Sequence, residues 1–422
     1  MKANNIFFKG LLIFFLFLTV SCNNKKESLP FNVIPLESAV GNYSMLNLSD
    51  YIEEIKYIPL ETNDSVLIGR IANSFSYENG KIFMANVSGS NLYYYLFDDK
   101  GSFLRKIGNH GQGPDDYLGT RNTYLLDNYI YILDSSGKKL LIYDTDGFLI
   151  ENIRFKTEEL TGKSFGYFHY NIYPLKKDTF VLDVGAPFGY YPKAILLEKD
   201  QSNFKIIKEY SNYIKTDKKP GDEILIGRGF MYRFKDDVRL FEFTKNDTIF
   251  TIGQNLELTE AFTFESGKYR YLPSVFKRDE AYNYIRLGSV FESFDHLFIT
   301  FDFGNHAPEP FEITNRINIR VPITNVKGVF DKNTGKLFLM KQPIKGKLGF
   351  KNDIDNGPVI WPHYISSQNE LVTYISAEEF LDYYEKIENP TPQMTEIAKN
   401  VKIDDNPIVI IAKLKEKTHG TK

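Results

Sequence analysis

A chain of 422 residues with 42% hydrophobic and 25% charged side chains can bury one large core or two medium ones, which excludes an intrinsically disordered protein. The formal net charge of −3, without a basic block, excludes a nucleic-acid surface built on charge. Aromatic residues reach 15%, with 28 Tyr and 35 Phe against one Trp. Such side chains favour pleated, half-buried surfaces, so a mainly β protein is expected.

In chain order the first element is a leader. Lys2 and Lys9 form a basic start, Leu11 to Leu18 are uninterrupted apolar residues, and Ser21 precedes Cys22, the pattern of a secretory signal over residues 1–21. So short an apolar run does not span a bilayer as a helix. Cys22 is the only cysteine, so no intramolecular disulfide can form. Its position directly after the apolar run resembles the bacterial lipobox, with Thr19 where that motif usually carries Leu. The resemblance implies that Cys22 is diacylated and becomes the first residue of the mature chain. More than one acyl chain makes anchoring stable, because each buried methylene adds about 0.8 kcal/mol. The competing reading is a plain signal followed by a chance cysteine. Residues 22–50 then read as lipid anchor and tether, with Asn23 to Pro30 as its polar part. Loss of residues 1–21 removes Lys2 and Lys9 and no acid, which takes the net charge from −3 to −5.

The next element, "IEEIKYIPLE" from Ile52 to Glu61, is a strand with no neighbour in sequence to pair with. After it the chain repeats itself. "NGKIFMANVSGSNLYYYLFDDKGSFLRKIG" from Asn79 and "DNYIYILDSSGKKLLIYDTDGFLIENIRF" from Asp127 share turn, strand, small-residue loop, strand, acidic turn ending in Gly, and strand. Ile82 and Ile130 are 48 apart and Gly101 and Gly147 are 46 apart. A period of about 40–50 residues with several strands per unit is the signature of a propeller blade. Weaker copies follow in "FHYNIYPLKKDTFVLDV", "FMYRFKDDVRLFEF" and "YIRLGSVFESFDHLFITFDF", each with a second strand pair, so five units of four strands lie between Val66 and Pro343. "VIWPHYISSQNELVTYIS" and "PIVIIAKLK" supply three strands of a sixth, and Ile52–Glu61 is expected to close the ring as its fourth. Between them, Ser376 and Glu379 have capping-box spacing, so two short helices are expected over about residues 376–403. The expected fold is therefore an all-β, six-bladed β-propeller over residues 51–422, with four-stranded blades, an N-terminal closing strand and a helical insertion in the last blade.

Four stretches carry a family resemblance: Cys22 after the leader, "YIPLET" at Tyr57–Thr62, "IGNHGQGPDDY" at Ile107–Tyr117 and "DNPIVIIAKLK" at Asp405–Lys415. On these the chain resembles the six-bladed β-propeller lipoproteins of Bacteroidota. The glycine-rich stretch is similar to that family's Gly-x-x-Gly-x-Gly-Pro-x-x-Tyr signature, with His110 at a variable position and Asp116 where an acid is usual. The resemblance implies a lipid-anchored propeller and supplies no catalytic residues to carry over.

Antiparallel strands make successive connections alternate between the two ends of a blade. One set is short, for example "ENG", "DN", "KDD" and "DTDG", as tight hairpins require. The other set holds every long insertion, including "GNHGQGPDD", Gly185–Pro192, Ser211–Gly229, Ser266–Glu280, the stretches from Gly304 and Pro343, and the helices. Long connections tend to carry binding, so this face is the expected functional surface. Tyr190, Tyr191, Tyr269 and Tyr271 offer flat rings there, and Arg228, Arg270 and Glu309 offer polar handles for a glycan or peptide. The competing reading makes half of these aromatics loop anchors.

The chemical motifs are sparse. Lys106–Gly119 is neither a phosphate loop nor a dinucleotide fingerprint, and its glycines and Pro114 read first as a structural corner between blades, with His110, Asp115 and Asp116 as secondary candidates for lining a pocket. Six histidines (His110, His169, His296, His306, His363 and His419) show no metal-type spacing; His110, His306 and His363 fall toward the long-loop face. Paired acids such as Asp98-Asp99 and Asp236-Asp237 sit in expected tight turns, where Asp bonds its own backbone. No metal and no cofactor is expected. The sequence reading is an envelope protein anchored at the outer membrane, on its periplasmic side or at the cell surface. It would bind or scaffold a glycan, a glycopeptide or a partner envelope protein. The rival is a hydrolase or lyase acting on a carbohydrate or peptidoglycan-type substrate, with acids and histidines at the channel mouth.

Overall fold

The computed structural model of the protein describes residues 32–88, 91–134, 138–155, 171–183, 192–211, 229–242, 247–270, 278–314 and 318–416. Blade 1 is built from Ile71–Glu78, Lys81–Ser88, Asn91–Asp98 and Phe103–Ile107, and blade 2 from Thr120–Leu126, Tyr129–Asp134, Lys139–Asp144 and Leu149–Arg154. Blade 3 follows over Asn171–Lys176, Thr179–Asp183, Ala194–Asp200 and Asn203–Tyr210, and blade 4 over Gly229–Phe234, Asp237–Glu242, Thr248–Ile252 and Leu258–Phe264. Blade 5 uses Arg286–Glu292, His296–Asp302, Asn325–Asp331 and Lys336–Met340. Within each blade the strands are antiparallel and follow chain order from the inner edge outward.

Blade 6 confirms the ring closure expected from the spare strand. Its strands are Tyr364–Ile365, Glu370–Ile375 and Ile408–Leu414, and its outer strand is Ile52–Pro59, paired antiparallel from Ile408↔Pro59 through Leu414↔Ile52. This joins the two ends of the chain in one sheet and removes the edge that would otherwise be open. Tyr57 strengthens the closure by donating its hydroxyl to Asp355 at 2.9 Å. The insertion after Ile375 holds the helices Ala377–Tyr384 and Pro392–Asn400. Ser376 Oγ accepts from the Glu379 N–H at 3.0 Å and Thr391 Oγ1 from the Met394 N–H at 3.2 Å, as N-caps do.

Two expectations are corrected. The stretch assigned to the tether is folded from its described start: Val33–Ile34 adds in parallel to Thr263–Phe264 on blade 4, and Tyr43–Ser44 adds in parallel to Leu339–Met340 on blade 5. Ile34, Leu36 and Leu48 are buried, so this strap is held by apolar burial against two outer strands whose edges it covers. The insertion from Gly304, read as loop, carries a small hairpin of Phe311–Thr314 with Arg320–Ile323.

Neighbouring blades approach closely at their outer edges, and glycine permits it. Gly101, at φ +86, sits in the turn before the outer strand of blade 1; a Cβ there would meet the Pro59 carbonyl oxygen of blade 6 at 2.1 Å. The same Gly101 carbonyl accepts from the Glu61 N–H at 2.8 Å. The acidic turn ending in Gly that recurs in the sequence is thus an inter-blade contact as well as a hairpin. The core lies between the sheets, with aromatics such as Phe83, Tyr94 and Tyr117 fully buried.

Candidate functional site

The strand order places the two sets of connections at opposite ends of the ring. At the short-turn end, Asn79-Gly80 and Asp127-Asn128 both have two consecutive positive φ values, the geometry of tight type I′ hairpins. Side chains there bond between blades. Arg233 of blade 4 pairs with Asp127 of blade 2, skipping blade 3, and Glu78 of blade 1 accepts from the Tyr364 hydroxyl at 2.7 Å and the Ser367 N–H at 3.1 Å of the neighbouring blade 6. Inner-strand tyrosines fill the space beside them. Tyr124 and Tyr173 lie 4.3 Å apart edge to face, and the Tyr124 hydroxyl donates to Asn171 at 2.7 Å. Burial raises the pKa of Tyr124, Tyr173 and Tyr364 above the ordinary range, so the phenols stay neutral.

The glycine-rich stretch is the corner from blade 1 to blade 2. Its carbonyls are taken by blade 2: Lys139 Nζ donates to Gly113 and Pro114 at 3.2 and 2.8 Å, Asn152 to Pro114 at 2.9 Å, and Tyr143 to Asp115 at 3.1 Å. Asp116 accepts from the Gly113 N–H at 3.0 Å, and a Cβ on Gly111 or Gly113 would meet that carboxylate at 2.5 or 2.6 Å. The glycines are required because the loop wraps Asp116. The Asp115 carboxylate accepts from Asn152, and His110 Nε2 lies 3.1 Å from the Leu118 carbonyl. All three side chains are occupied in folding the corner.

The other sequence candidates fall in two groups. Tyr190, Tyr191, Arg228 and Tyr271 lie outside the described residues. Tyr269, Arg270 and His306 meet where blade 4 passes to blade 5: the Tyr269 and His306 rings are 5.0 Å apart, Arg270 pairs with Asp247 at 2.8 Å, and His306 Nε2 is 3.0 Å from the Asn283 carbonyl. Glu309 accepts from the Gln342 N–H at 3.0 Å, further out on the same side. His110, His306 and His363 stand in three separate settings, and the described residues hold no group of three His, Cys, Asp or Glu spaced to bind a metal.

His363 belongs to a cluster that sequence reasoning missed, at the long-connection end where blades 5, 6 and 1 meet. Lys327 lies near that end of its strand and Nζ donates to Thr300 Oγ1 at 2.8 Å. Ser289 Oγ donates to the same Thr300 oxygen at 3.0 Å. The Lys327 ammonium stands 4.9 Å from the ring centroid of Trp361. Trp361 is 7% exposed, stacked on Phe350 at 5.7 Å and edge-on to Phe298 at 6.0 Å, and its indole N–H has no partner among the described residues. His363 follows on the way into the inner strand of blade 6. Its Nδ1 is 2.7 Å from Thr373 Oγ1, and its ring stacks at 4.6 Å on Tyr374, which meets Phe75 of blade 1 at 5.1 Å.

The electrostatics of this mouth are unusual. Lys327 has no carboxylate within ion-pair distance among the described residues, and burial pushes its pKa down to about 7. His363 is lowered by burial first and by the Lys327 charge second, so its imidazole stays neutral at pH 7. Both are crowded by protein, yet Lys327 keeps partial exposure and His363 is exposed, the condition of a narrow wet mouth rather than a dry core. A signal for the cluster existed in the sequence. Trp361 is the sole tryptophan, and Lys327 interrupts a strand, "NVKGVF", whose neighbours Val326 and Val329 are buried.

The molecule so described is a six-bladed β-propeller with one elaborated end. The chain belongs to the family described as a domain of unknown function, DUF4934, which matches residues 31–413. No curated protein matches it. Among solved structures it is similar to a putative exported protein of Bacteroides fragilis at 18% identity and TM-score 0.64, covering 91% of this chain and 100% of that one. It is also similar to a member of the DUF4221 family from Bacteroides vulgatus at 15% identity and TM-score 0.50, covering 87% and 98%. Both likenesses are of fold.

Proposed function

We propose that the protein is an exported, lipid-anchored envelope module that binds a glycan or glycopeptide at the long-connection mouth of its propeller. The observation that carries this reading is the Lys327–Trp361–His363 cluster. It brings aromatic rings, hydroxyls and unpaired hydrogen-bond donors to one partly exposed place, the composition of a ligand site. Lys327 and His363 keep contact with solvent, while the far end is tied by Arg233–Asp127, which skips a blade, and by Glu78–Tyr364 between neighbouring blades. Recognition without turnover fits the corner residues, whose acids and His110 are already bonded.

The test is an array of host and microbial oligosaccharides and muropeptides probed with the purified protein. Ligands that bind should weaken about tenfold, roughly 1.4 kcal/mol, in His363→Ala and be unaffected by Lys177→Ala at the short-turn end. Binding indifferent to His363→Ala, or captured only by a partner protein, contradicts the glycan reading. Anchoring rests on Cys22 following the leader and has its own check. Cys22→Ser should move the protein from the membrane fraction to the soluble fraction, and unchanged fractionation counts against the lipid.

A further inference from the structure

We propose that the mouth holds a carboxylate of an acidic sugar, with Lys327 Nζ as its counter-charge and Thr300 and Trp361 as neighbouring donors; this rests on the glycan reading above. Several crowded cations elsewhere in the protein meet an acid or a pair of carbonyls. Arg239 and Lys332 share the Glu292 carboxylate, Arg286 pairs with Asp302, and Lys139 caps two backbone carbonyls. Among the described residues Lys327 has the Thr300 hydroxyl and the face of Trp361, neither of which returns a full negative charge. A crowded cation without an acid either sheds its proton or takes its counter-charge from something that binds there.

The surrounding groups show the same imbalance. Thr300 Oγ1 accepts from both Lys327 and Ser289, so its own proton has no acceptor among the described residues. The Trp361 indole is a donor only and is buried without a partner among the described residues. Lys327 therefore stands against the Thr300 hydroxyl and the Trp361 ring, and among the described residues nothing beside it carries a negative lone pair. A ligand that contributes one negative charge and acceptor oxygens at Lys327 and Thr300 supplies what is missing, and that description fits a carboxylate. A phosphate monoester, at about −1.5 to −2, would need a second cation, and the cluster has one. His363, neutral and stacked on Tyr374, adds no charge but leaves Nε2 for a ring hydroxyl, which favours a sugar acid over a bare carboxylate.

The protonation state makes the inference testable on the unmodified protein. Lys327 by itself titrates near pH 7 because burial opposes its charge; a bound carboxylate reverses that and holds the proton. Affinity should be constant below about pH 7 and fall by up to about tenfold per pH unit above it, with a proton taken up on binding. The experiment is calorimetric titration with glucuronic acid, its methyl ester, glucose and acetate. The acid should bind at least tenfold more tightly than its ester, and Lys327→Met should abolish that difference while leaving ester binding in place. Trp361→Phe should weaken the acid several-fold. Equal binding of acid and ester, or a preference that survives Lys327→Met, overturns the proposal. If Lys327→Met fails to fold, the wild-type pH profile decides, and a flat profile without proton uptake overturns it. Acetate binding as tightly as glucuronic acid overturns the sugar part. Neutral sugars that bind with His363 dependence but show no acid preference leave the glycan reading standing and remove this one.

Discussion

Replacing Glu292 with alanine is expected to destabilise the protein by about 3–5 kcal/mol in chemical denaturation, the largest effect of any single change at the short-turn end. Glu292 closes the inner strand of blade 5 with its side chain fully buried. Its carboxylate receives Arg239 at 2.9 and 3.2 Å, Lys332 at 2.8 Å and the Tyr232 hydroxyl at 3.0 Å. Two cations from blades 4 and 5 thus meet on one acid, so its removal leaves both buried and uncompensated, although the pair itself need not be net stabilising. Lys332 keeps the Ser293 carbonyl, the face of Phe234 4.0 Å away and the nearby Asp295 as partial substitutes. A loss below about 1 kcal/mol would mean that water reaches these groups.

The same residue sets an acid limit. Burial is the largest influence on Glu292 and pushes its pKa up, but Lys332 and Arg239 together overcome it and hold the carboxyl below its ordinary 4.5. An acid whose pKa is lower when folded contributes stability above the unfolded value, and that contribution disappears as pH falls toward the native value. Wild-type stability should therefore drop below about pH 4.5, and Glu292→Ala should lack that component of the drop.

The second large effect is expected at the ring closure. Asn406 is 1% exposed and its amide binds the chain entering blade 1: Nδ2 donates to the Glu61 and Val66 carbonyls at 2.6 and 3.0 Å, and Oδ1 accepts from the Ile68 N–H at 2.7 Å. One side chain thereby ties the last connection of blade 6 to the first of blade 1. Asn406→Ala removes the side-chain partners of the Glu61 carbonyl and the Ile68 N–H and leaves the Val66 carbonyl with only the long Asn63 N–H contact at 3.4 Å, which should cost about 2–4 kcal/mol by denaturant titration. A change under about 1 kcal/mol would show that the closure is carried by the Ile408–Leu414 pairing alone.

The architecture was legible because it repeats. The tight turns, the Gly of the outer hairpin and the spare strand Ile52–Pro59 each recur or pair at fixed offsets, and the closing strand had nowhere else to pair. The strap was not legible. Its strands, Val33–Ile34 and Tyr43–Ser44, are two residues long, so no alternation marks them, and their burial depends on outer strands far away in sequence. The hairpin of Phe311–Thr314 and Arg320–Ile323 was hidden for a related reason, since its side chains are half-buried or exposed.

The candidate site was half legible. His363 was singled out as a residue of the long-loop face, and it lies beside Thr373 and Tyr374 at that end of blade 6. Lys327 was passed over because a lysine in a strand normally marks the solvent face, and only the fold shows that Thr300 and Trp361 stand against it. His110, Asp115 and Asp116 attracted attention through composition, whereas their bonds all return to the corner they build.

Entry of the ligand at the long-connection mouth is decided by a crystal structure of the protein with the tightest-binding saccharide. Density is expected in contact with His363 and Lys327, between blades 5, 6 and 1. A ligand seated on the short-turn end or on the outer edges of the blades would contradict it.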